Sequence, residues 1–239
     1  MRPPIARMHG VTLVEMAIVL LILGVLTKAV TGPLSALQKH RQHREAVSQL
    51  TSIQSALWAH VVSQGVLPCP VAAEGLTVLD RDTACGVYQG GVPAVTLGLS
   101  GSVTANGALL DPWNRPYQLA LSNPDDKVVG SDEPFDWAVE GSASRTGIQH
   151  LGADIVVCNR SVSGQCPSRD VRADELSFVI LTAGADDTHH GDQSENLDAD
   201  QVFTLQEPSI NAEQPFDDLL LWGTAAETAY WLLRAGWLP

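Results

Sequence analysis

Residues 11–26 read VTLVEMAIVLLILGVL, an apolar run interrupted by a single carboxylate, Glu15. With its flank to Val30, the run reaches the ~20 residues that a bilayer crossing requires. An ionisable side chain is costly at membrane depth, so a carboxylate inside such a run is a candidate functional residue. The pattern predicts a long helix whose first half, residues 11–33, is transmembrane.

A short polar segment, residues 1–10, precedes the run, carries Arg2 and Arg7, and ends in the small residue Gly10. A secretory signal peptide has its small-residue cleavage site after the apolar stretch, whereas here the small residue comes before it. Cleavage after Gly10 would leave the hydrophobic helix on the mature chain. Val11 would then be the first residue, and Glu15 would lie in the first turn or so of the helix.

This arrangement resembles the prepilin-type N-terminus of type IV pilins and type II secretion pseudopilins. The resemblance rests on Gly10, the TLVE run at 12–15 and Gly24, which fall where that family has them. Two positions depart from the family pattern. Val11 stands where Phe or Met is usual, and the helix-kinking Pro33 lies one residue late.

The resemblance implies a minor pilin or pseudopilin that a prepilin peptidase cleaves after Gly10 and methylates at the Val11 amine. Glu15 would neutralise the amino terminus of a neighbouring subunit during assembly. The implied partners are other pilins or pseudopilins, the prepilin peptidase, an inner-membrane assembly platform and the lipid bilayer. The implied location is the inner membrane, crossed once, with the C-terminal domain in the periplasm, and then the fibre or pilus.

Charge excludes one class of partner. The formal net charge of -13 argues against direct nucleic-acid binding, which requires clustered Lys and Arg. One local basic segment, KHRQHR at 39–44, is an exception. It is either a solvated face near anionic headgroups or a surface that pairs with acidic residues of a neighbouring subunit.

The four cysteines are predicted to form two disulfides, because the domain behind the anchor would lie in an oxidising compartment. Local pairing, Cys69 with Cys85 and Cys158 with Cys166, is preferred among the three possible connectivities. The cysteines form no CxxC motif and no His lies at zinc-finger spacing, which argues against a structural zinc site.

The apolar residues between Leu34 and Val61 recur at spacings of three and four, which predicts that the helix continues with one apolar face. Gly65 followed by Pro68 predicts its end. Beyond Pro68, short apolar runs alternate with Gly, Pro, Asn and Asp, which is typical of an antiparallel sheet with long connections.

The predicted fold class is therefore α+β and pilin-like. A long N-terminal helix, transmembrane in its first half, packs on a C-terminal antiparallel β-sheet with long loops. The predicted domains are a prepilin leader at 1–10, a transmembrane and assembly helix at 11–33, and a periplasmic globular domain at 34–239 that includes the second half of the helix.

The richest polar stretch, residues 184–200, is dense in carboxylates, which suit calcium because that ion prefers six to eight oxygen ligands. It resembles the calcium-binding loop of major pseudopilins, and on that match Asp186, Asp198 and Asp200 are candidate ligands. It is not an EF-hand, because Gln201 stands where that motif requires Gly. The alternative is a solvated acidic loop. A transition-metal site at His189 and His190 is a weaker alternative, because adjacent side chains rarely point into one site.

Two further segments have structural interpretations. The DPWNRPY run at 111–117 resembles a turn of major pseudopilins and predicts a Pro-fixed turn that leads into a strand. A capping box at Thr224 and Glu227 opens a short C-terminal helix that ends at Gly236. Its apolar surface predicts packing on the domain itself, or docking of another pilin or a secreted substrate.

No catalytic residue is predicted, because the chain has no GxSxG, HExxH, P-loop or Gly-rich dinucleotide turn. The sequence therefore indicates a structural subunit and not an enzyme. Two alternatives remain. One is a membrane-anchored periplasmic binding module that does not polymerise, and the other is a metal-dependent periplasmic hydrolase that uses the acidic loop.

Overall fold

The computed structural model describes residues 12–72, 85–122, 135–147, 151–185, 192–198, 200–207 and 216–238. The chain divides into two compact units, Met1–Arg44 and Glu45–Pro239. The first helix, α1 (Leu13–Gln64), begins in the first unit and ends in the second.

The start of α1 is set by Thr12, which acts as its N-cap. The Thr12 carbonyl accepts a hydrogen bond from the Met16 amide at 3.2 Å, and the Thr12 hydroxyl oxygen accepts one from the Glu15 amide at 3.3 Å. The first is the opening intrahelical bond, and the second satisfies one of the four amides that a helix start leaves without an intrahelical partner.

The predicted transmembrane half of this helix is wrong. In the ranges that the structure describes, no helix combines the length and the apolarity needed to cross a bilayer.

In the second unit, α1 buries one face. Its buried residues recur at spacings of three and four, as the sequence predicted; they are Ala46, Leu50, Ile53, Leu57 and Val61. The helix ends at Gln64 because Gly65 adopts a left-handed conformation with φ of 77°. Its amide still donates to the Val61 carbonyl at 2.9 Å.

Six strands in the described residues form one sheet. They are β1 (Gln89–Gly91), β2 (Gln118–Leu121), β3 (Ile155–Cys158), β4 (Val171–Thr182), β5 (Val202–Thr204) and β6 (Leu219–Thr224). Strand β1 pairs with β2, and β4 pairs with β2, β3 and β6, all antiparallel. Three short helices complete the described elements: α2 (Ser142–Thr146), α3 (Asp192–Glu195) and α4 (Ala225–Ala235).

The fold is therefore α+β, but the expectation of a purely antiparallel sheet is wrong. Strands β3 and β5 pair in parallel, with Val156 opposite Val202. The physical reason is the path between them. The chain returns from β3 along β4 and then passes through α3, so it enters β5 at the end of the sheet where β3 also begins.

The centre of the sheet is β4, which is long enough to be shared by three neighbours. Leu176 pairs with both Ile155 of β3 and Thr224 of β6, so these two strands lie on opposite edges of β4. Strand β2 follows β3 along the same edge, and Ser122 joins them by donating its hydroxyl to Asp154 Oδ1 at 2.5 Å.

Alternating residues of the sheet supply two cores. On β4, Phe178 and Ile180 face the cluster that includes α1 and α4, whereas Val179 and Leu181 face a second cluster that includes Phe203. This alternation follows from the period of two in a strand. It explains why residues 178–181 of β4 are all apolar instead of alternating with polar residues.

Helix α4 begins and ends as the sequence predicted. Thr224 and Glu227 form a reciprocal capping box, and Gly236 ends the helix in a left-handed conformation. Ala225, Ala229 and Leu232 are buried in the core, so the helix packs on its own domain.

Both predicted disulfides are present, Cys69 with Cys85 and Cys158 with Cys166. The local connectivity preferred from the sequence is confirmed. The first closes a separation of 16 residues and the second a separation of 8, and cross-links of this kind stabilise a fold mainly by restricting the unfolded chain.

Candidate functional site

The first candidate site is the start of α1. The predicted processing residues, Gly10 and Val11, lie outside the described residues. Glu15 is described and lies in the first turn of the helix with an exposed side chain. The positive end of the helix dipole favours a carboxylate at this position.

Around Glu15 the helix presents apolar side chains on every side. The large apolar side chains between residues 13 and 25 have exposed fractions from 44% for Val19 to 86% for Leu13. A helix that is hydrophobic all round is normally buried by something else. A carboxylate embedded in such a surface becomes desolvated when the surface is covered, so it then requires a charged or hydrogen-bonding partner.

The second candidate site is a cluster of three carboxylates between α3 and β5. Ligand oxygens of Glu195, Asp198 and Asp200 all lie within 4.8 Å of one another. The pKa of Asp200 is raised to about 6; burial is the largest cause, the charges of Asp198 and Glu195 add to the rise, and the hydrogen bond from the Val202 amide opposes it. Three carboxylates this close repel one another unless a proton or a cation separates them.

The residues of the cluster fit a hard cation. Glu195 Oε1 is buried and accepts no hydrogen bond from any described residue, so one carboxylate oxygen is available as a ligand. Calcium prefers carboxylate oxygens of this kind, supplemented by backbone carbonyls and water. Asp186, the third residue expected from the sequence, lies outside the described residues.

A buried asparagine fixes the loop that carries the cluster. The Asn196 side chain is fully buried and donates its amide to the Thr204 carbonyl at 3.0 Å and to Asp218 Oδ2 at 2.7 Å. Its own oxygen accepts the Thr204 amide at 2.7 Å. Asn196 therefore ties the segment between Glu195 and Asp198 to β5 and positions the carboxylates.

The small disulfide loop borders the cluster on another side. A Cβ built on Gly164 would lie 3.5 Å from Asp200 Oδ2. Gly164 has φ of 70°, a conformation that disfavours side chains, and it lies inside the loop closed by Cys158 and Cys166. This disulfide loop thus places a piece of backbone against the Asp200 carboxylate.

The DPWNRPY turn connects the other end of the acidic stretch to the domain. Asp111 Oδ1 accepts the amides of Trp113 at 2.9 Å and Arg115 at 2.8 Å, which closes the turn. The Arg115 guanidinium donates to the carbonyls of Ala183 at 3.4 Å and Ala185 at 3.2 Å. The predicted turn is structural, and it also holds the backbone that leads into the acidic stretch.

Comparison of the chain with protein-family models, with curated proteins and with solved structures finds no match.

The structure brings two of the three predicted ligands together, Asp198 and Asp200, and adds Glu195. The sequence analysis missed Glu195 although it lies in the acidic stretch, because the resemblance singled out only aspartates. The spacing of Glu195, Asp198 and Asp200 in the sequence could have indicated this grouping. The final turn of a short helix, followed by a turn and a strand, brings residues three and five positions apart onto one side of the loop.

Proposed function

We propose that the protein is a structural subunit, a minor pilin or pseudopilin, of a type IV pilus or type II secretion fibre. A prepilin peptidase would process it after Gly10, and it would assemble through its N-terminal helix with its domain in the periplasm. The proposal is supported by the sequence resemblance around Gly10 and Glu15 and by the exposed surface of α1.

The observation that carries the proposal is the uncovered apolar surface between residues 13 and 25. Fully burying a side chain of the Leu, Ile or Val type contributes roughly 1.5–3 kcal/mol, so a run of them strongly favours any association that removes them from water. Neighbouring copies of the same helix offer the matching surface. Packing several such helices side by side buries all of their faces together, which a single partner groove would not do.

Glu15 would set the register of this packing. The amine of Val11 that processing releases is positive, and pairing it with Glu15 of a neighbour compensates the desolvation that both groups undergo inside a bundle of apolar helices. Leaving one member of a buried pair without its partner costs ~3–5 kcal/mol. A copy displaced along the fibre would therefore be rejected.

The test compares Glu15→Gln with Glu45→Gln, which removes a second exposed carboxylate from the same helix. Both variants are expressed in the source cells, and their amounts in sheared fibres and in complexes with other pilins are measured by quantitative mass spectrometry. We expect Glu15→Gln to be cleaved normally but to be incorporated about tenfold less or worse, because ~1.4 kcal/mol already corresponds to a factor of ten. Glu45→Gln should be incorporated like the unmodified chain.

Two results would contradict the proposal. One is normal incorporation of Glu15→Gln. The other is mature protein that still begins at Met1, or that has lost the apolar segment.

We also propose that calcium is a structural cofactor of the domain, held by Asp198, Asp200 and Glu195, with Asp186 as a further ligand. When bound, the cation supplies the positive charge that three neighbouring carboxylates lack. The observation that supports it is the buried Glu195 oxygen, which accepts no hydrogen bond from the described residues.

A further inference from the structure

Buried side-chain oxygens that accept no hydrogen bond are concentrated at one loop of the domain. Of the four such atoms in the described residues, three belong to Gln89, Glu195 and Gln201. Glu195 opens the carboxylate cluster and Gln201 directly follows it, while Gln89 donates its side-chain amide to the Asn196 carbonyl of the same loop at 3.5 Å. A buried acceptor without a donor is costly. Carboxylate and amide oxygens of this kind are ligands for calcium, so the loop has acceptors that a bound cation would satisfy.

A small hairpin closed by a disulfide lies beside this loop. The disulfide joins Cys158 to Cys166. The tip of the hairpin is a two-residue turn, residues 163–164, here called the hairpin turn, in which both residues have positive φ, 54° and 70°. Val162 and Gln165 flank the turn and exchange backbone hydrogen bonds of 2.9 and 3.2 Å. Positive φ at both central residues is typical of the tight turns that connect hairpins, so the tip has a defined shape.

The hairpin turn covers one side of the Asp200 carboxylate. A Cβ built on Gly164 would lie 3.5 Å from Asp200 Oδ2, which is an ordinary van der Waals distance. The other carboxylate oxygen, Oδ1, accepts the Val202 amide at 2.8 Å. Asp200 is therefore held between the start of β5 and the hairpin turn, and this position limits the access of water to its carboxylate.

The disulfide ties the hairpin to the sheet. Cys158 is the fully buried last residue of β3, and its carbonyl accepts the Leu205 amide, just after β5, at 2.8 Å. Cys166 is only half-buried. In the described chain, the backbone of residues 160–166 forms hydrogen bonds only within the hairpin. The covalent bond between Cys166 and Cys158 therefore keeps the hairpin turn in place against Asp200.

We propose that the hairpin turn forms one wall of the cation site and that the Cys158–Cys166 disulfide, by holding this turn against Asp200, sets the affinity of the site for calcium. This inference rests on the proposed calcium site and extends it to a second segment of the chain. Backbone that excludes water from a carboxylate lowers the local dielectric constant, which strengthens the attraction between the carboxylate and a cation. A wall that is fixed before binding also does not have to be ordered when the cation arrives.

The experiment measures the dissociation constant for calcium in the full chain by titration calorimetry with calcium chloride. The test variant carries Cys158→Ser and Cys166→Ser. The matched control carries Cys69→Ser and Cys85→Ser, which removes the other disulfide and leaves the hairpin intact. Loss of either disulfide frees the unfolded chain and lowers stability. Thermal unfolding of both variants records that shared effect separately from the affinity.

We expect the variant without the Cys158–Cys166 bond to bind calcium about tenfold more weakly or worse, and the control to stay within about twofold of the unmodified chain, because loss of groups that support metal ligands costs roughly 10–100-fold in affinity. A second variant, Gly164→Ala, keeps the disulfide but adds a methyl group beside Asp200 Oδ2 and strains the hairpin turn, so it should weaken binding as well. Its control is Gly98→Ala, which adds a methyl group at a similar φ of 64° in open space and should leave the affinity unchanged.

Calcium binding by the Cys158→Ser, Cys166→Ser chain as tight as that of the unmodified chain would overturn this inference and leave the calcium site intact. Equal weakening by the two pairs of serine substitutions would also overturn it, because the loss would then follow general stability. If the test variant does not fold, the comparison of Gly164→Ala with Gly98→Ala decides, and equal affinities would overturn the inference. If the unmodified chain binds no calcium, the proposed calcium site is itself wrong and this inference fails with it.

Discussion

Helix α1 contains two apolar stretches of similar length that differ in burial: one is packed on the domain and the other is exposed. Between residues 46 and 61, every third or fourth side chain is buried and the positions between them are mostly polar or small. Between residues 13 and 25, almost every side chain is large and apolar, and all of them are exposed. Both stretches form regular helix, so helix formation does not distinguish them.

The difference lies in the partner that each pattern requires. A one-sided stripe matches a single surface, and the sheet supplies that surface with Leu119, Leu121, Phe178 and Ile180. A surface that is apolar on all sides cannot be buried by one sheet. The 46–61 stretch therefore stabilises the domain, whereas the 13–25 stretch is suited to association with other molecules.

The same substitution in both stretches should have opposite consequences if their roles differ in this way. Leu57 is fully buried and Leu20 is 63% exposed. We expect Leu57→Ala to lower the free energy of unfolding of the domain by about 2–5 kcal/mol, because it removes buried methyl groups and leaves a cavity. Leu20→Ala should change it by less than ~0.5 kcal/mol. Urea unfolding followed by tryptophan fluorescence measures both values.

The effect of the two substitutions on self-association should have the reverse order. Leu20→Ala should weaken self-association, measured by sedimentation of the full chain, more than a folded Leu57→Ala chain does. Equal effects of the two substitutions on unfolding would mean that the 13–25 stretch contributes to the domain core, and the distinction would be lost.

The comparison also shows which features the sequence alone could predict. Predictions from local sequence patterns were confirmed. They are the end of α1 at Gly65, the capping box of α4 and the disulfides between cysteines close in the chain. Each depends on a few neighbouring residues. The parallel pairing of β3 with β5 was missed, because it depends on where the chain re-enters the sheet after a long connection, and no short pattern encodes that path.

The transmembrane assignment failed for a different reason. It extended the apolar run to Val30 across Lys28, and among the described residues no helix meets the requirement for a crossing. The acidic site was predicted in part. Asp198 and Asp200 were found from composition and resemblance, but Glu195 joins them only because α3 ends at that residue and Asn196 anchors the following turn.

Calcium is predicted to stabilise the domain itself, independently of fibre assembly. At a free concentration 100 times the dissociation constant, a ligand that binds only the folded state stabilises it by about 2.7 kcal/mol. We expect a chelator to lower the melting temperature of the unmodified chain and calcium to restore it. Asp198→Asn should abolish that response, as measured by calorimetry with and without calcium.

The same variant should behave differently once chelator is present. Asp198 raises the pKa of Asp200 by repulsion, so removing its charge should leave the calcium-free domain as stable as before or slightly more stable. Glu207→Gln, outside the cluster, should retain the full calcium response. A melting temperature that does not respond to chelator or calcium would contradict the proposal that calcium stabilises the domain.

The smallest predicted effect concerns the contact between α1 and the start of β2. The buried Tyr117 hydroxyl donates to Gln49 Oε1 at 2.8 Å, and burial, reinforced by Asp111 and Glu45, raises its pKa far above the ordinary 10.0. Tyr117→Phe should cost about 1 kcal/mol at pH 8, because it removes one hydrogen bond and keeps the ring.

That cost should shrink at alkaline pH, which identifies the hydroxyl as its source. Above pH 10 the unfolded chain loses the Tyr117 proton while the folded chain retains it, so the unmodified protein loses stability as pH rises and the Phe variant lacks this contribution. Urea unfolding of both chains at pH 8 and pH 10.5 measures the difference. A cost that stays constant between the two pH values would show that the raised pKa of the Tyr117 hydroxyl does not contribute to stability, and the pH dependence assigned to this contact would be wrong.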